Sequence, residues 1–339
     1  MKFSLVTTCL NEMGSLPRWR KDLERQTRQP DEIAIVDAQS TDGTTEALRE
    51  WAVEDSRVRL RVEKCNAARG RNLAVSTMVS YDRIVSTDMG LRLHPHWFEE
   101  IVRPFERESD VEVVIGSCAV DSETLVTAPA RAEAYITGDI SPFIVDSDGQ
   151  ARLRPGSVPG NLSMAYSKTV WSELGGFPED LTLYADDSVF GRQIMQSGCK
   201  IGLAPKAVVF WARHQRLSQF WKEQFRYGFG DGEAYIKTPF AFRLHRQYGL
   251  PGIFVPIFTG LREVSKNLTL TSISRALKAF DFGAIAVMPV FLFGRGYSFG
   301  RGYMLGYDRG ATHCLGARAR VHISEGQAMG TESCHGDVA

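Results

Sequence analysis

The sequence predicts an α/β protein with a mostly parallel sheet flanked by helices, followed by a helical, basic and apolar C-terminal extension. Three observations predict it. Apolar runs of strand length alternate with amphipathic segments over the first hundred residues, the pattern of βαβ units whose sheet is covered on both faces. Polar or acidic residues stand at the ends of those runs, where such sheets bind ligands. The hydrophobic content of 43% and charged content of 24% are those of an ordinary globular chain, which argues against disorder.

In order, FSLVTTCL reads as a strand, LPRWRKDLERQT as a helix and DEIAIVDAQ as a second strand. TTEALREWAVED is a helix, VRLRVEK a short strand, GRNLAVSTMV a helix, DRIVST a further strand and VEVVIGSCAV another buried one. Residues 121–159 are rich in Asp, Ser, Gly and Pro and read as loops with a helix near TAPARAEAYI,. SMAYSKTVWSEL and SVFGRQIMQSG have helical spacing, and CKIGLAPKAVVFWA carries two short strands. From RLSQFWKEQFRYGFGDGEAYI onward the pattern is helical, basic and aromatic.

The formal net charge is zero, yet Lys237 to Arg320 holds twelve Lys/Arg against three Asp/Glu. A near-neutral or acidic body with a basic C-terminal region follows. GLPGIFVPIFTG and FGAIAVMPVFLFG are apolar for only about a dozen residues each, short of the roughly 20 that span a bilayer. Interleaved with Arg and Lys, 249–303 fits either an element lying at a membrane interface or a helical hairpin buried on the body. FGRGY occurs twice in 293–307, too short a duplication for a structural repeat. MKFSLVTTCLNE lacks a long apolar signal region, and six scattered cysteines show no framework spacing,. Both predict a cytosol-facing protein, and the basic and apolar stretch 249–303 a peripheral position at the inner face of the membrane. The sequons at Asn161 and Asn267 then carry little meaning. The expected organisation is a catalytic domain over 1–235, a membrane-proximal extension over 236–320 and a disordered tail over 321–339.

Three strand ends carry the candidate chemistry: Asn11 and Glu12, Asp37, and Asp88. Asp37 precedes QSTDGT, where a carboxylate can accept from a nucleobase N–H while the following helix N-terminus offers amides to an anion. Asp42 caps that helix. Asp186 and Asp187 in ADDSVFG are adjacent carboxylates at a loop-to-helix junction. A carboxylate there can take the proton of an attacking hydroxyl.

VTTCLNE, QTRQPDEIAIVDAQSTDGT, GRNLAV, TDMGLRLHPHWFEEI, LGGFPED, ADDSVFGRQIMQSG and QFRYGFGDG occur in the order seen in family 2 glycosyltransferases, and the chain resembles them over residues 1–235. The resemblance implies a GT-A (Rossmann-like) fold, a nucleotide-diphosphate sugar donor (a UDP-sugar by default) and transfer with inversion. It implies that Asp37 reads the donor base, that Arg71 faces base or phosphate, and that Thr7 or Thr8 lines the same pocket, with Asn11 and Glu12 beside it. Asp88 aligns with the first carboxylate of the family's D-x-D, and Gly90 takes the place of the second, a D-x-G version similar to one branch of the family. Mg²⁺ or Mn²⁺ would then rest on Asp88, with His214 as a further ligand, since Mg²⁺ needs only one or two carboxylates plus substrate phosphates. Asp187 aligns with the catalytic base and Asp186 with its acceptor-contacting partner. Arg213, Gln224 and Arg226 are placed to neutralise the leaving diphosphate.

The acceptor implied is a lipid-linked or cell-surface glycan precursor. A sugar nucleotidyltransferase would want a Gly-rich phosphate loop with a following Lys, which TTCLNEMGSLPR lacks, and a dehydrogenase would want G-x-G-x-x-G after the first strand. Gly90 alone points to a degenerate module that has kept the fold without the chemistry. The basic excess is interleaved with apolar runs and carries no nucleic-acid motif.

Overall fold

The computed structural model describes residues 1–138, 141–148, 150–182 and 184–322. The body runs β1 (Phe3–Cys9), α1 (Leu16–Glu24), β2 (Glu32–Asp37), α2 (Thr44–Glu54), β3 (Val58–Val62), α3 (Ala67–Leu73), β4 (Arg83–Ser86), β5 (Arg92–Leu93), α4 (Trp97–Arg107), β6 (Val113–Val120) and α5 (Ala128–Thr137). It continues through β7 (Phe143–Val145), β8 (Ala151–Leu153), β9 (Met164–Ser167), α6 (Lys168–Glu173), α7 (Asp186–Ser197), β10 (Ile201–Trp211) and α8 (Leu217–Glu233). Five helices follow: α9 (Phe240–Tyr248), α10 (Phe254–Asn267), α11 (Leu270–Lys278), α12 (Phe282–His313) and α13 (Leu315–His322).

Eight strands form one sheet in the order β3-β2-β1-β4-β9-β6-β10-β5. The pairings β3–β2, β2–β1, β1–β4 and β6–β10 are parallel, whereas β9 is antiparallel to both neighbours and β5 to β10. Continuous apolar runs such as EIAIVD are buried at every position because helices cover both faces. Trp19, Trp51, Trp97 and Phe105 of α1, α2 and α4 pack on one face. Ala68, Val170, Phe177 and Phe190, from α3 to α7, pack on the other.

Elements of the body differ from the sequence expectation. In SMAYS, read with KTVWSEL as one helix, MAYS is β9, and only Lys168–Glu173 is helical. Four residues are too few to show a strand period, and β9 exists because β4 and β6 supply a ladder on each side,. CKIGLAPKAVVFWA holds one strand whose register shifts between Leu203 and Val208. The loop region 121–159 contains the hairpin β7–β8 besides the expected helix.

The apolar stretch 282–294 belongs to a 32-residue helix, long and apolar enough to cross a membrane by length and composition. The FGRGY duplication explains how the glycine-rich part stays helical and packed. Gly294 and Gly302, one from each copy, lie against Trp221 and Phe225 of α8, and Gly296 and Gly300 lie against Thr259 and Pro256 of α10. Each copy thus gives one glycine to each neighbour. The tail was expected to be disordered from 321, yet Val321 is in α13 and buried. Residues 323–339 lie outside the described residues.

A Cβ on Gly302 would run into the Phe225 carbonyl of α8. Alanine is the better helix former by about 1 kcal/mol, so only this close approach can make the substitution unfavourable. Gly302→Ala should lower the free energy of urea unfolding by about 1–3 kcal/mol. Gly14→Ala, whose Cβ would meet nothing within 4 Å, should stay within about 0.5 kcal/mol.

Candidate active site

Because β9 runs antiparallel to β4, the residues just before it lie beside the carboxyl end of β4. This brings Asn161 to Asp88. The Asn161 side-chain amide donates to Asp88 Oδ1 at 2.8 Å, its Oδ1 accepts from Ser86 at 2.5 Å, and its backbone N–H reaches Asp187 Oδ2 at 3.3 Å. Asn161 is buried and therefore closed to glycosylation. Nothing local in the sequence marks it, since its position depends on the antiparallel β9 that the helical reading of SMAYS hides.

Arg71, on α3, reaches the same place from the other side. One arm of its guanidinium donates to Asp88 Oδ1 at 2.9 Å and the other to Asp186 Oδ2, while the group lies over the Phe177 ring at 5.4 Å. The side chain is buried, with Nε unpartnered. Burial disfavours its charge, but Asp186, Asp88 and Asp187 together raise its pKa. Three carboxylates thus surround one guanidinium. Burial, with the surplus negative charge of Asp187 and Asp88 set against the pull of Arg71, raises the Asp186 carboxyl. The sequence places Arg71 toward base or phosphate, whereas both its terminal nitrogens are spent on carboxylates.

The two adjacent aspartates differ. Asp186 is buried on Arg71, while Asp187 is only partly covered. Both lie in the first turn of α7, where the helix dipole favours negative charge. Ala185 before them holds φ 77°, a left-handed conformation costing a non-glycine residue about 1–3 kcal/mol. Gly230 of α8 receives this loop: a Cβ there would stand 2.5 Å from the Tyr184 carbonyl oxygen.

Glu12 stands over Gly90. A Cβ on Gly90 would sit 3.6 Å from both Glu12 carboxylate oxygens, and burial, with Asp88 and Asp42 nearby, raises the Glu12 pKa. A second carboxylate is therefore beside the D-x-G segment, delivered from β1 instead of from the segment itself. Among the described residues no group of three or more His, Cys, Asp or Glu forms a metal site.

Asp37 is fully buried and accepts from the Ser40 hydroxyl at 2.6 Å, the Ser40 N–H at 3.1 Å and the Thr45 hydroxyl. In this structure its carboxylate holds the 38–43 loop. Asn11, at φ 58°, accepts from the Thr41 N–H at 2.8 Å and donates its own N–H to Ser40. Asp42 accepts from the N–H of Thr44, the first residue of α2, at 3.1 Å, while the N-cap position itself is Gly43. Successive strand residues face opposite sides. Thr8 packs against Gly70 of α3, and the Thr7 hydroxyl is buried without a partner.

The late basic residues form a second cluster. Arg213 is buried, donating to the Gly138 carbonyl at 2.9 Å and lying 3.7 Å from Glu133. His214, read as a metal ligand, has both ring nitrogens on carboxylates: Nδ1 is 3.1 Å from Glu133 and Nε2 is 2.6 Å from Glu223. Burial opposes its charge, but the two glutamates raise its pKa to about 9. An imidazolium so held has no lone pair for a metal. An open cleft of about 440 Å³ is lined by Arg213, His214, Lys222, Glu223 and Arg226. Burial raises the Tyr184 pKa, next to Ala185, and the nearby Arg226 charge opposes the rise. Gln224 is half-buried on the same helix.

The sign of the His214 shift fixes a pH dependence. A base whose pKa rises on folding, here from 6.5 to about 9, gives stability that is full below 6.5 and lost as pH climbs through 9. The melting temperature of the wild-type protein should fall across that window, and His214→Gln should flatten the fall. Parallel profiles for the two proteins would contradict the paired imidazolium.

Residues 4–153 match the family described as Glycosyl transferase family 2. The chain is 26% identical over 255 residues to the O-antigen chain rhamnosyltransferase RfbN of Salmonella typhimurium, covering 74% of this chain and 77% of that protein. It is 25% identical over 245 residues to the succinoglycan biosynthesis protein ExoA of Rhizobium meliloti, covering 69% and 70%. In fold it is similar to the mannosyltransferase PcManGT of Pyrobaculum calidifontis, solved with GDP-Man and Mn²⁺, at a TM-score of 0.56 and 18% identity over 91% of this chain and 88% of that one. Residues 4–153 thus carry a Glycosyl transferase family 2 domain match, and the chain has the GT-A fold of a nucleotide-sugar-dependent glycosyltransferase.

Proposed function

We propose that the protein transfers a sugar, with inversion, from a nucleoside-diphosphate sugar to a hydroxyl of a lipid-linked or cell-surface glycan precursor, with Asp187 as the base. The observation that carries this reading is the division of labour between the adjacent aspartates. Asp186 is buried on Arg71, which leaves Asp187 as the carboxylate open to an acceptor, joined to Asp88 through Asn161. Asp187 takes the acceptor proton as the hydroxyl oxygen attacks the anomeric carbon, and the nucleoside diphosphate departs with the bond electrons. Asp186 orients the start of α7 instead of touching the acceptor. The names of RfbN and ExoA, with their O-antigen and succinoglycan products, support an envelope or surface polysaccharide precursor as acceptor.

The residues fit a divalent ion of the Mg²⁺ or Mn²⁺ type. One guanidinium faces Asp88, Asp186 and Asp187, so the site carries surplus negative charge. Asp88 is partly exposed beyond its contacts with Arg71 and Asn161. Asp88 would hold the ion, with Glu12 across Gly90 at hand, and donor phosphates and water would complete the shell. Bound there, the ion would neutralise charge developing on the leaving diphosphate. His214 is excluded from this set by its two glutamates. Arg226 and Lys222, in the open cleft, supply mobile positive charge for the diphosphate, and Asp37 acts through the loop it holds, next to Asn11 and Thr8. The catalytic unit is 1–235, and 236–320 is the extension that brings it to its acceptor.

Calorimetric titration of UDP, dTDP and GDP, each with Mn²⁺, with Mg²⁺ and with EDTA, tests the donor and metal assignment. One diphosphate should bind in a metal-dependent way, and Asp88→Ala should abolish that dependence. Asp187→Asn should keep binding yet lower kcat about 10²–10⁴-fold. Binding indifferent to EDTA would remove the metal from the account. Absence of any nucleotide binding would favour the degenerate module, and turnover of a nucleoside triphosphate with a sugar 1-phosphate would favour a nucleotidyltransferase.

A further inference from the structure

Two helices of the C-terminal region present exposed apolar stripes. On α10, Phe254, Phe258, Arg262 and Lys266 follow one another at i,i+4 with Leu261 beside them, so the stripe is apolar in its first half and basic in its second; all five are exposed. On α12, Phe282, Ala286, Val290 and Phe293 follow at i,i+4 and i,i+3, also exposed and without a charged member. The phenylalanines, Leu261 and Val290 are between 37% and 67% exposed. Only 28% of the apolar window of α12 is buried. The stripes adjoin, because the Phe293 ring lies directly on Gly260 of α10. A continuous apolar face of this kind is unusual for a soluble surface.

The charge around it selects its occupant. Among the described residues Arg243, Arg262 and Lys266 form no ion pair, and Arg243 and Arg262 both lie over the exposed Phe240 ring. A second copy of this chain would set cations against cations. An anionic bilayer surface would complement them while taking up the apolar side chains. Crossing the bilayer is opposed by packing: at its glycines α12 is seated against α8 and α10, so its exposed stripe can be offered only sideways.

We propose that the face formed by α10 and α12 docks the enzyme on an anionic lipid surface, with α12 lying in the plane of the membrane. The inference rests on the glycosyltransferase reading only for its purpose, delivery of the site to a lipid-linked acceptor. The face and the site are coupled through a chain of ring contacts: Phe291 of α12 stacks on Phe220 at 4.1 Å, and Phe220 meets His214 edge-on at 5.4 Å. The cleft lined by Lys222 and Arg226 therefore sits one helix away from the lipid-facing stripe.

Co-sedimentation of the full chain with vesicles tests this, using phosphatidylcholine alone against phosphatidylcholine with about a third phosphatidylglycerol, at low and high salt. The wild-type protein should partition at least tenfold more onto the anionic vesicles, and high salt should reduce this. Phe258→Ser combined with Val290→Ser, and separately Arg262→Glu combined with Lys266→Glu, should each lower partitioning at least tenfold with the melting temperature unchanged. Unaltered partitioning of both variants, or no partitioning of the wild type, would overturn the proposal. So would a concentration-dependent dimer in sedimentation velocity that the Phe258→Ser, Val290→Ser variant abolishes. Nucleotide-diphosphate binding measured on the same samples separates the two readings: vesicle binding without nucleotide binding would sink the transferase assignment and leave the docking face standing.

Discussion

A single buried guanidinium joins the parts of this site. Arg71 lies between Asp88, which ends β4, and Asp186, which opens α7. A buried arginine with no partner would be strongly unfavourable, and so would two buried carboxylates without it; each is tolerable because of the other. The fold therefore fixes the distance between the donor side of the site, at the sheet, and the acceptor side, at α7. Asn161 repeats the connection with neutral groups, touching Asp88 through its side chain and Asp187 through its backbone. Because Asp186 is consumed in holding this geometry, Asp187 is the more open of the two carboxylates.

The second organising constraint is the close seating of helices on glycine. Gly230 lets α8 meet the loop before Asp186, and the paired FGRGY segments let α12 meet α8 and α10 at once. α13 then returns to the body, where Arg318 donates to the Glu233 and Gly232 carbonyls and Arg320 to that of Gly176. The C-terminal helices are thus tied to α8 and to the loop between α6 and α7. The face proposed to rest on lipid and the site proposed for transfer are held in one frame by these contacts.

Much of the body was legible in the sequence because its parallel strands are buried on both faces and read as unbroken apolar runs. Asp37, Asp88, Asp186 and Asp187 were legible because motif order and strand ends point to them. Asn161 was not, since its place depends on β9, a strand that local spacing disguises as helix. The pairing of His214 was hidden for a similar reason: its partners Glu133 and Glu223 lie 81 residues before and 9 after it, and no local signal pairs them. The carboxylate of Glu12 above Gly90 is a spatial replacement, invisible to any alignment of the D-x-G segment alone. The length of α12 was missed because glycine and arginine interrupt its apolar run, although the glycines are what allow the helix to pack.

The measurement that tests the account most directly is a double-mutant cycle on unfolding free energy with Arg71→Met and Asp186→Asn. Arg71→Met alone should cost about 3 kcal/mol or more, because it strands buried carboxylates. Adding Asp186→Asn should restore part of that loss, giving a coupling of about 2 kcal/mol. Losses that simply add, within about 0.5 kcal/mol, would mean that Arg71 and Asp186 do not depend on each other, and the clamp between the two sides of the site would not exist.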